Sequence, residues 1–566
     1  GTAHHPTYES LKGAIDQCCS LCIALLEMLA PEQQDFLMDP SRPHKDGTSA
    51  TLPKHPLALT NHTQSPETLA LAKRWFSDCV RHHKRCTAAS RGGPWYPTRL
   101  LDLSRIVHDG TEPSSDQIRT YPHLATGVPV GSLPRLMRDA IFISLELGIR
   151  YLWVDLLCIY QGKDDITDWQ REAALMDRVY ANTFCNISAG DANGCLESLF
   201  SPRDPNDFLP QLIELQLGDR EDETGLFRVH DLDYWRRSIS RAPVNTRAWV
   251  LQERFLSPRV LQFDRRQVLW ECLEVSATDT CPKHIPMNLM GRDYLLFKSL
   301  VPIAKSESPP ESERDVRRTW IALVREYTAC GLTVPGDKLI AISGIARHLA
   351  TFVEDEFSLG KTTRPAEYRA PSWSWASIEG PVRPGLGGFG SSLITVEEVQ
   401  LEYLTGDVFG AVTGGWLRLR GPLRQLQLVR NNGPDRNPAR EWDMILEGVN
   451  VAMPETQPPH EPYGVEVRLD TLHESFAEQN ASDTLFAMLA RNIIIKEGHK
   501  DAGHGHMHIL LFNLVDKENA VFERIGLAKT WHSAYKEAIL KAERPRNAPA
   551  LPGVDCGNGV YSICVI

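Results

Sequence analysis

The sequence predicts an α/β protein of several domains: a parallel-sheet core near the middle, a helical region before it and a mainly β domain after it. Three observations carry this reading. The chain has 566 residues, enough for three or four domains at roughly 150 residues each. Between residues 133 and 188 helical and strand patterns alternate, the order that builds a parallel sheet with helices on its faces. Beyond residue 390 the pattern changes to short apolar or alternating runs, which read as strands.

The elements follow in chain order. Leu11, Ile15, Cys18, Cys22, Leu25 and Leu29 recur at three- and four-residue steps and predict a helix over 8–38. A second helix is expected over 66–86. Pro134 suits the first turn of a helix whose apolar face holds Met137, Ala140, Ile141 and Ser144, and Gly148 supplies its stop. Residues 151–154 form a continuous apolar run, as in a strand buried on both faces. Thr167 and Gln170 resemble a capping box opening a helix with Trp169, Ala173, Met176 and Tyr180 on one stripe. Strands over 184–188, 260–263 and 267–271, with a helix over 246–255, complete this region. Residues 287–352 read as mostly helical. Strands over 393–404, 416–419, 464–469, 508–515 and 560–565 follow, interrupted by helices near 482–490 and 530–542. The expected domains are thus a helical region (1–96), an α/β domain (97–285), a helical connector (286–390) and a β-rich domain (391–566).

Bulk properties exclude some functions. The formal charge of −11 opposes a general nucleic-acid or membrane surface, which needs a basic field. No stretch of about 18 uncharged apolar residues exists to span a membrane, and Gly1 to Glu9 lacks a basic-then-apolar leader. Thirteen cysteines are scattered over a long chain; a secreted disulfide scaffold is short and cysteine-dense. A cytoplasmic protein with reduced thiols is the expectation.

Two blocks carry a resemblance. The first runs Leu133-Pro134, Asp139-Ala140-Ile141, Leu147-Gly148, Tyr151-Leu152-Trp153-Val154-Asp155 and Leu157-Cys158-Ile159-Tyr160-Gln161, continuing through Asp168-Trp169-Gln170-Arg171-Glu172. The second is Thr246-Arg247-Ala248-Trp249-Val250-Leu251-Gln252-Glu253, followed by Leu256-Ser257-Pro258-Arg259. Together they resemble the fungal heterokaryon-incompatibility (HET) domain. Flanking matches are Pro97-Thr98-Arg99-Leu100-Leu101-Asp102 upstream and Pro371-Ser372-Trp373-Ser374-Trp375-Ala376-Ser377 downstream. Leu156 stands where the family usually has serine and Ala248 where it has glycine. The family's first block, YxxLSYxWG, is absent before Leu133, so another segment must occupy the place of its strand, because unpaired buried backbone is costly.

The resemblance implies a core distantly similar to Toll/interleukin-receptor (TIR) domains, with a flavodoxin-like parallel sheet. It further implies self/non-self recognition and regulated cell death through self-association or a signalling partner. Some TIR domains cleave NAD at the nicotinamide–ribose bond with a glutamate in a WCxxE pattern. Trp249 and Glu253 have the same spacing, which puts them on one helical face, one turn apart. A carboxylate there would stabilise an oxocarbenium-like ribose or orient water. On that reading Glu253 is the catalytic candidate, and Asp155, Cys158, Gln161, Arg247 and Trp249 line the nucleotide pocket, Asp155 ending a strand where ligands of open α/β sheets gather. The plainer alternative makes Trp249 core, pairs Glu253 with Arg247 or Arg254, and uses Asp155 as a cap. Glu172 is a second carboxylate on a stripe that looks structural. A non-catalytic assembly module and an enzyme repurposed for a small metabolite are the competing functions; fold analogy does not confer activity.

Cys79, His83 and Cys86 share one helical face and make a candidate zinc site. Zinc needs four such ligands, and Cys18, Cys19 and Cys22 lie on the other N-terminal helix. The alternative is packing of small apolar thiols. His504, His506 and His508 alternate along an expected strand, as an exposed polar face. Gly385 to Gly390 fits GxGxxG but follows a proline-rich turn and precedes strand-like sequence, where a dinucleotide loop must open a helix.

Overall fold

The computed structural model describes residues 59–89, 95–105, 129–160, 167–205, 211–216, 224–229, 239–285, 313–349, 357–359, 363–384, 390–430, 441–451, 465–470, 484–493, 506–530, 533–542, 544–545 and 548–566. The helix expected over 8–38, with Cys18, Cys19 and Cys22, lies outside these residues, as do Gln161, His504 and 385–389. The chain divides into two compact units: Gly1–Thr246 with Glu253–Lys305, and Arg247–Gln252 with Ser306–Ile566.

The first unit is mixed α/β. Helix Pro66–His82 opens with Ser65 as N-cap, whose hydroxyl accepts from the Thr68 amide, and with proline at its first turn. Its buried stripe is Ala72, Trp75 and Cys79. The Trp75 indole donates to the Pro282 carbonyl at 2.7 Å, and Phe76 meets the Phe184 and Trp270 rings edge-on. The helix ends at His83, which adopts an extended backbone, and a short helix, Lys84–Ala89, resumes. One continuous helix over 66–86 was expected; the interruption at His83 divides it in two.

Strands β1 (Leu101–Asp102) and β2 (Tyr151–Leu152) form a two-stranded antiparallel ladder. Strand β3 (Asn186–Ala189) runs parallel to β6 (Arg259–Phe263). Strands β4 (Gln211–Gln216) and β5 (Thr224–Val229) pair with each other. Strands β7 (Val268–Cys272) and β8 (Ser276–Thr278) extend the β3–β6 pair, giving the order β3-β6-β7-β8. Among the described residues, the expected parallel sheet is therefore one parallel pair in a mixed sheet, and 151–154 does not join it. The reasons are local. The Leu157 and Cys158 amides both bond back to the Val154 carbonyl, so a helical turn, Asp155–Cys158, ends β2 after two residues. Only Asp264 to Gln267 connects β6 to β7, with the Asp264 amide bonded to the Gln267 carbonyl at 2.9 Å. A parallel return needs a crossover of a dozen residues or more.

Beside β2, the neighbour along Leu101–Asp102 comes from the Pro97–Asp102 lead-in. Under this ladder Leu103, Leu133, Met137, Ile141 and Leu157 form a small core with helix Arg135–Glu146. Strands β6 and β7 are buried at every position and form the centre of the unit.

The second unit contains helices Glu313–Thr328 and Ile340–Leu349, the pair β9 (Phe357–Leu359) and β10 (Val382–Pro384), and an eleven-stranded sheet. The sheet comprises β11 (Gly390–Ser392), β12 (Thr395–Tyr403), β13 (Val412–Arg430), β14 (Trp442–Leu446), β15 (Val449–Asn450), β16 (Val465–Leu469), β17 (Leu485–Ile493), β18 (His506–Asp516), β19 (Val521–Thr530), β20 (Val554–Asp555) and β21 (Val560–Val565). The pairings β17–β18, β18–β19, β19–β21, β21–β13 and β13–β17 close a ring, around a core that includes Phe486, Phe512, Phe522 and Ile563. The C-terminal region is thus mainly β, as expected. One element differs: 482–490 was read as helix, and its residues 485–490 belong to β17 instead. Its helix formers, Leu485, Ala487, Met488, Leu489 and Ala490, are all buried between neighbouring strands, and tertiary pairing overrides propensity. His508 is buried rather than exposed. None of the described helices is long and apolar enough to cross a membrane.

Candidate functional site

Three places in the first unit bring polar groups together. The first is a knot that ties the lead-in to the first sequence block. The Arg99 guanidinium donates to the Cys158 carbonyl at 2.6 Å and to Asp168, and lies 3.7 Å from Glu172. Asp168 also accepts from the Tyr160 amide at 2.8 Å and from Arg171. These bonds hold the Asp168 carboxyl below the usual carboxylate range despite the opposing effect of its partial burial. Glu172 is 2% exposed and bonded to Arg171 at 3.1 Å. The second-choice carboxylate thus belongs to an ion network.

The second place is a small crevice where β3 and β6 end, lined by Ala189, Asp191, Glu197, Ser198, Asp264 and Arg265 among others. Open α/β sheets collect ligands at the carboxyl ends of parallel strands. Gly190 makes the approach possible: a Cβ on it would fall 1.6 Å from Asp264 Oδ1. Asp264 is 6% exposed; its Oδ1 accepts from Gln262 Nε2 at 2.9 Å, and its Oδ2 has no hydrogen-bond partner among the described residues. Burial pushes its carboxyl up to about 8, helped by the nearby Asp191 and Asp279 and opposed by Gln262 and Arg254. At neutral pH Asp264 is therefore a largely neutral acid, able to donate a hydrogen bond. The Asp191 carboxylate is taken by the Arg265 amide, and Glu197 accepts from the Asn193 amide at 3.2 Å.

The predicted pocket residues are distributed as follows. Asp155 is exposed at the start of its short helix, where its Oδ1 accepts from the Leu156 amide at 2.7 Å. Cys158 is 1% exposed, and burial pushes its thiol up to about 11. Glu253 and Trp249 lie one turn apart on helix Ala248–Leu256, and both are half-buried. Arg247 is exposed. Trp249 is bonded to the Asp337 carboxyl within the second unit. Arg254 reaches the fully buried Glu271 at 2.8 Å. None of these residues lines the crevice at the ends of β3 and β6.

The third place is a cluster of four metal-type donors: Cys79, His83, Cys86 and Cys272, with all donor atoms within 4.8 Å of one another. Cys79 and Cys86 are fully buried and Cys272 is 2% exposed. Because His83 leaves the helix, His83 and Cys86 can turn toward Cys79. The fourth residue, at the end of β7, was missed in the sequence, where it reads as one apolar position in the run Val268-Leu269-Trp270-Glu271-Cys272. Hydrogen bonds from Cys79 and Cys86 favour the thiolate of Cys272, and the same contacts hold the Cys79 and Cys86 protons, that of Cys86 up to about 12. Arg259 lies beside them: 1% exposed, its Nε 3.2 Å from Cys79 Sγ, its Nη atoms on the carbonyls of Phe184 and Cys86, and its plane over the Phe184 ring.

Comparison with known proteins agrees with the motif blocks. No curated protein and no solved structure matches the chain. Residues 108–253, however, match the family model described as Heterokaryon incompatibility protein (HET), and the chain thus carries a HET domain over that segment.

Proposed function

We propose that this chain is a heterokaryon-incompatibility-type protein of a fungus, acting in the cytoplasm to recognise non-self after cell fusion and to commit the mixed cell to death. The observation that carries this reading is the HET match over 108–253. The Arg99 network supports it by joining the lead-in, the central block and the Asp168-to-Glu172 segment into one unit. Within that role the proposed chemistry is hydrolysis of NAD(P) by a TIR-like core that self-associates, with Glu253 stabilising the ribosyl cation beside Trp249. The WxxxE spacing on helix Ala248–Leu256 and the parallel pair β3–β6 support it.

A second reading, a self-assembling module without catalysis, is favoured by one observation: Trp249 is engaged by Asp337, which is the behaviour of a packing residue rather than a platform for a nicotinamide ring.

Inducible expression of the full chain in a filamentous fungus, alone and in mixed cells, tests both. Growth arrest and dye uptake, with NAD falling in wild type and not in Glu253→Gln, is the outcome expected of the catalytic form. Death that persists in Glu253→Gln at unchanged NAD selects the assembly module. Wild-type protein that accumulates and harms no cell, self or mixed, removes the incompatibility reading.

A further inference from the structure

We propose that Cys79, His83, Cys86 and Cys272 bind one Zn²⁺ as a closed structural site that clamps the N-terminal helices to strand β7. Three thiols and an imidazole are the donor set that selects zinc over hard cations, and four protein ligands leave no open position for catalysis. The spacing suits the ion. Zinc–ligand bonds of about 2.3 Å to sulfur and 2.0–2.1 Å to nitrogen, at tetrahedral angles, place donors roughly 3.6–3.8 Å apart. Here Cys272 Sγ and His83 Nδ1 are 3.3 Å apart, and no donor pair exceeds 4.8 Å. The ion needs movements of about an ångström at most.

Thiol packing alone does not account for the surroundings. An apolar cluster has no use for an imidazole nitrogen aimed at a sulfur, nor for a buried guanidinium set against another. Three thiolates around Zn²⁺ carry a net charge of −1, and Arg259, 1% exposed beside Cys79, offsets that charge where solvent cannot. The Val275 amide donates to Cys272 Sγ at 3.3 Å, the outer contact by which metal-bound sulfur is usually oriented. All four cysteine and histidine donors come from sequence that flanks the HET match: three before residue 108 and one after residue 253. His83 and Cys272 are 189 positions apart, so the ion closes a long loop around the matched segment, and its binding is coupled to folding.

The test is metal analysis of the full chain, grown in zinc-sufficient medium and purified without chelator. The expected result is about one zinc per chain in wild type, a loss of at least tenfold in Cys272→Ser and in Cys86→Ser, and full retention in Cys556→Ser, whose thiol is exposed. Because the first two variants could fail to fold, wild type is also loaded with cobalt(II) after zinc removal; a tetrahedral cobalt–thiolate absorption spectrum is expected. Wild type that holds no zinc and takes up none, iron in its place, zinc retained by both site variants, or a disulfide among the three cysteines would each overturn the proposal.

Discussion

Replacing Asp264 by asparagine should remove a specific piece of the pH dependence of stability. The wild-type carboxyl sits near 3.8 when exposed and is pushed up to about 8 in the fold. Below pH 3.8 both states are protonated and burial of this group costs nothing in charge. Between the two values the unfolded chain releases the proton while the folded chain keeps it, so stability falls as pH rises, by at most about 1.4 kcal/mol per unit. Above pH 8 both states are ionised and the loss is complete. Integrated from pH 6 to pH 8, the loss is about 2 kcal/mol. Asparagine keeps the shape and the acceptor for Gln262 but has no proton to exchange. The assay is the urea midpoint of both proteins by tryptophan fluorescence at pH 6, 7 and 8. Other titrating groups, Asp279 among them, are present in both proteins and largely cancel in the difference. Asp264→Asn should gain on wild type by about 2 kcal/mol across that window. Parallel profiles for the two proteins would refute the argument that Asp264 is buried as a neutral acid.

Two further outcomes follow from local geometry. Gly190→Ala places a methyl group 1.6 Å from Asp264 Oδ1 and 3.1 Å from the Phe263 carbonyl; the melting temperature should drop by an amount equivalent to about 1–3 kcal/mol, and an unchanged melt would mean the crevice is wider than described. Trp249→Phe deletes the indole donor to Asp337 while keeping an aromatic ring. Chemical denaturation should show a loss of about 1 kcal/mol with NAD turnover, if any, preserved; loss of turnover without loss of stability would instead place the ring against substrate.

Much of the fold was legible because its signals are local. The helix at 135–146, the strands β6 and β7 and the helix at 248–256 are read from apolar period, proline and glycine placement within a dozen residues. What the sequence concealed depends on distant partners. Residues 151–152 carry the apolar run of an inner strand, yet their ladder partner is Leu101–Asp102, and no local pattern specifies that pairing. Residues 485–490 favour helix by composition and become β17 because β13 and β18 flank them. The candidate metal site divides the same way. Cys79, His83 and Cys86 announce themselves by spacing, although a break in the helix at His83 rather than one helical face brings them together. Cys272 has no cysteine or histidine close to it in sequence, and only the sheet carries it to the others. Asp264 and Gly190 were equally silent, since a short polar turn after a strand is ordinary until the residue facing it is known.

The HET match and the compact unit that holds most of it do not coincide, and the difference has consequences for how the domain holds together. Within 108–253 strand β3 has no described sheet partner of its own; its neighbour is β6, which begins at Arg259. β6 in turn is flanked by β7, and every residue of both strands is buried. On the other side, Trp75 and Phe76 from the helix at 66–82 close over the Pro282 carbonyl and the Phe184 and Trp270 rings. The matched segment therefore leaves one edge of β3 to be paired by β6, from chain beyond it, and an open, apolar strand edge is an invitation to misassembly. The four candidate donors all lie on this flanking chain: Cys79 on the helix at 66–82, His83 and Cys86 just after it, and Cys272 at the end of β7. The proposed zinc would therefore fasten these flanking pieces to each other, and Arg259, beside Cys79, ties them in turn to the Phe184 carbonyl of the matched segment.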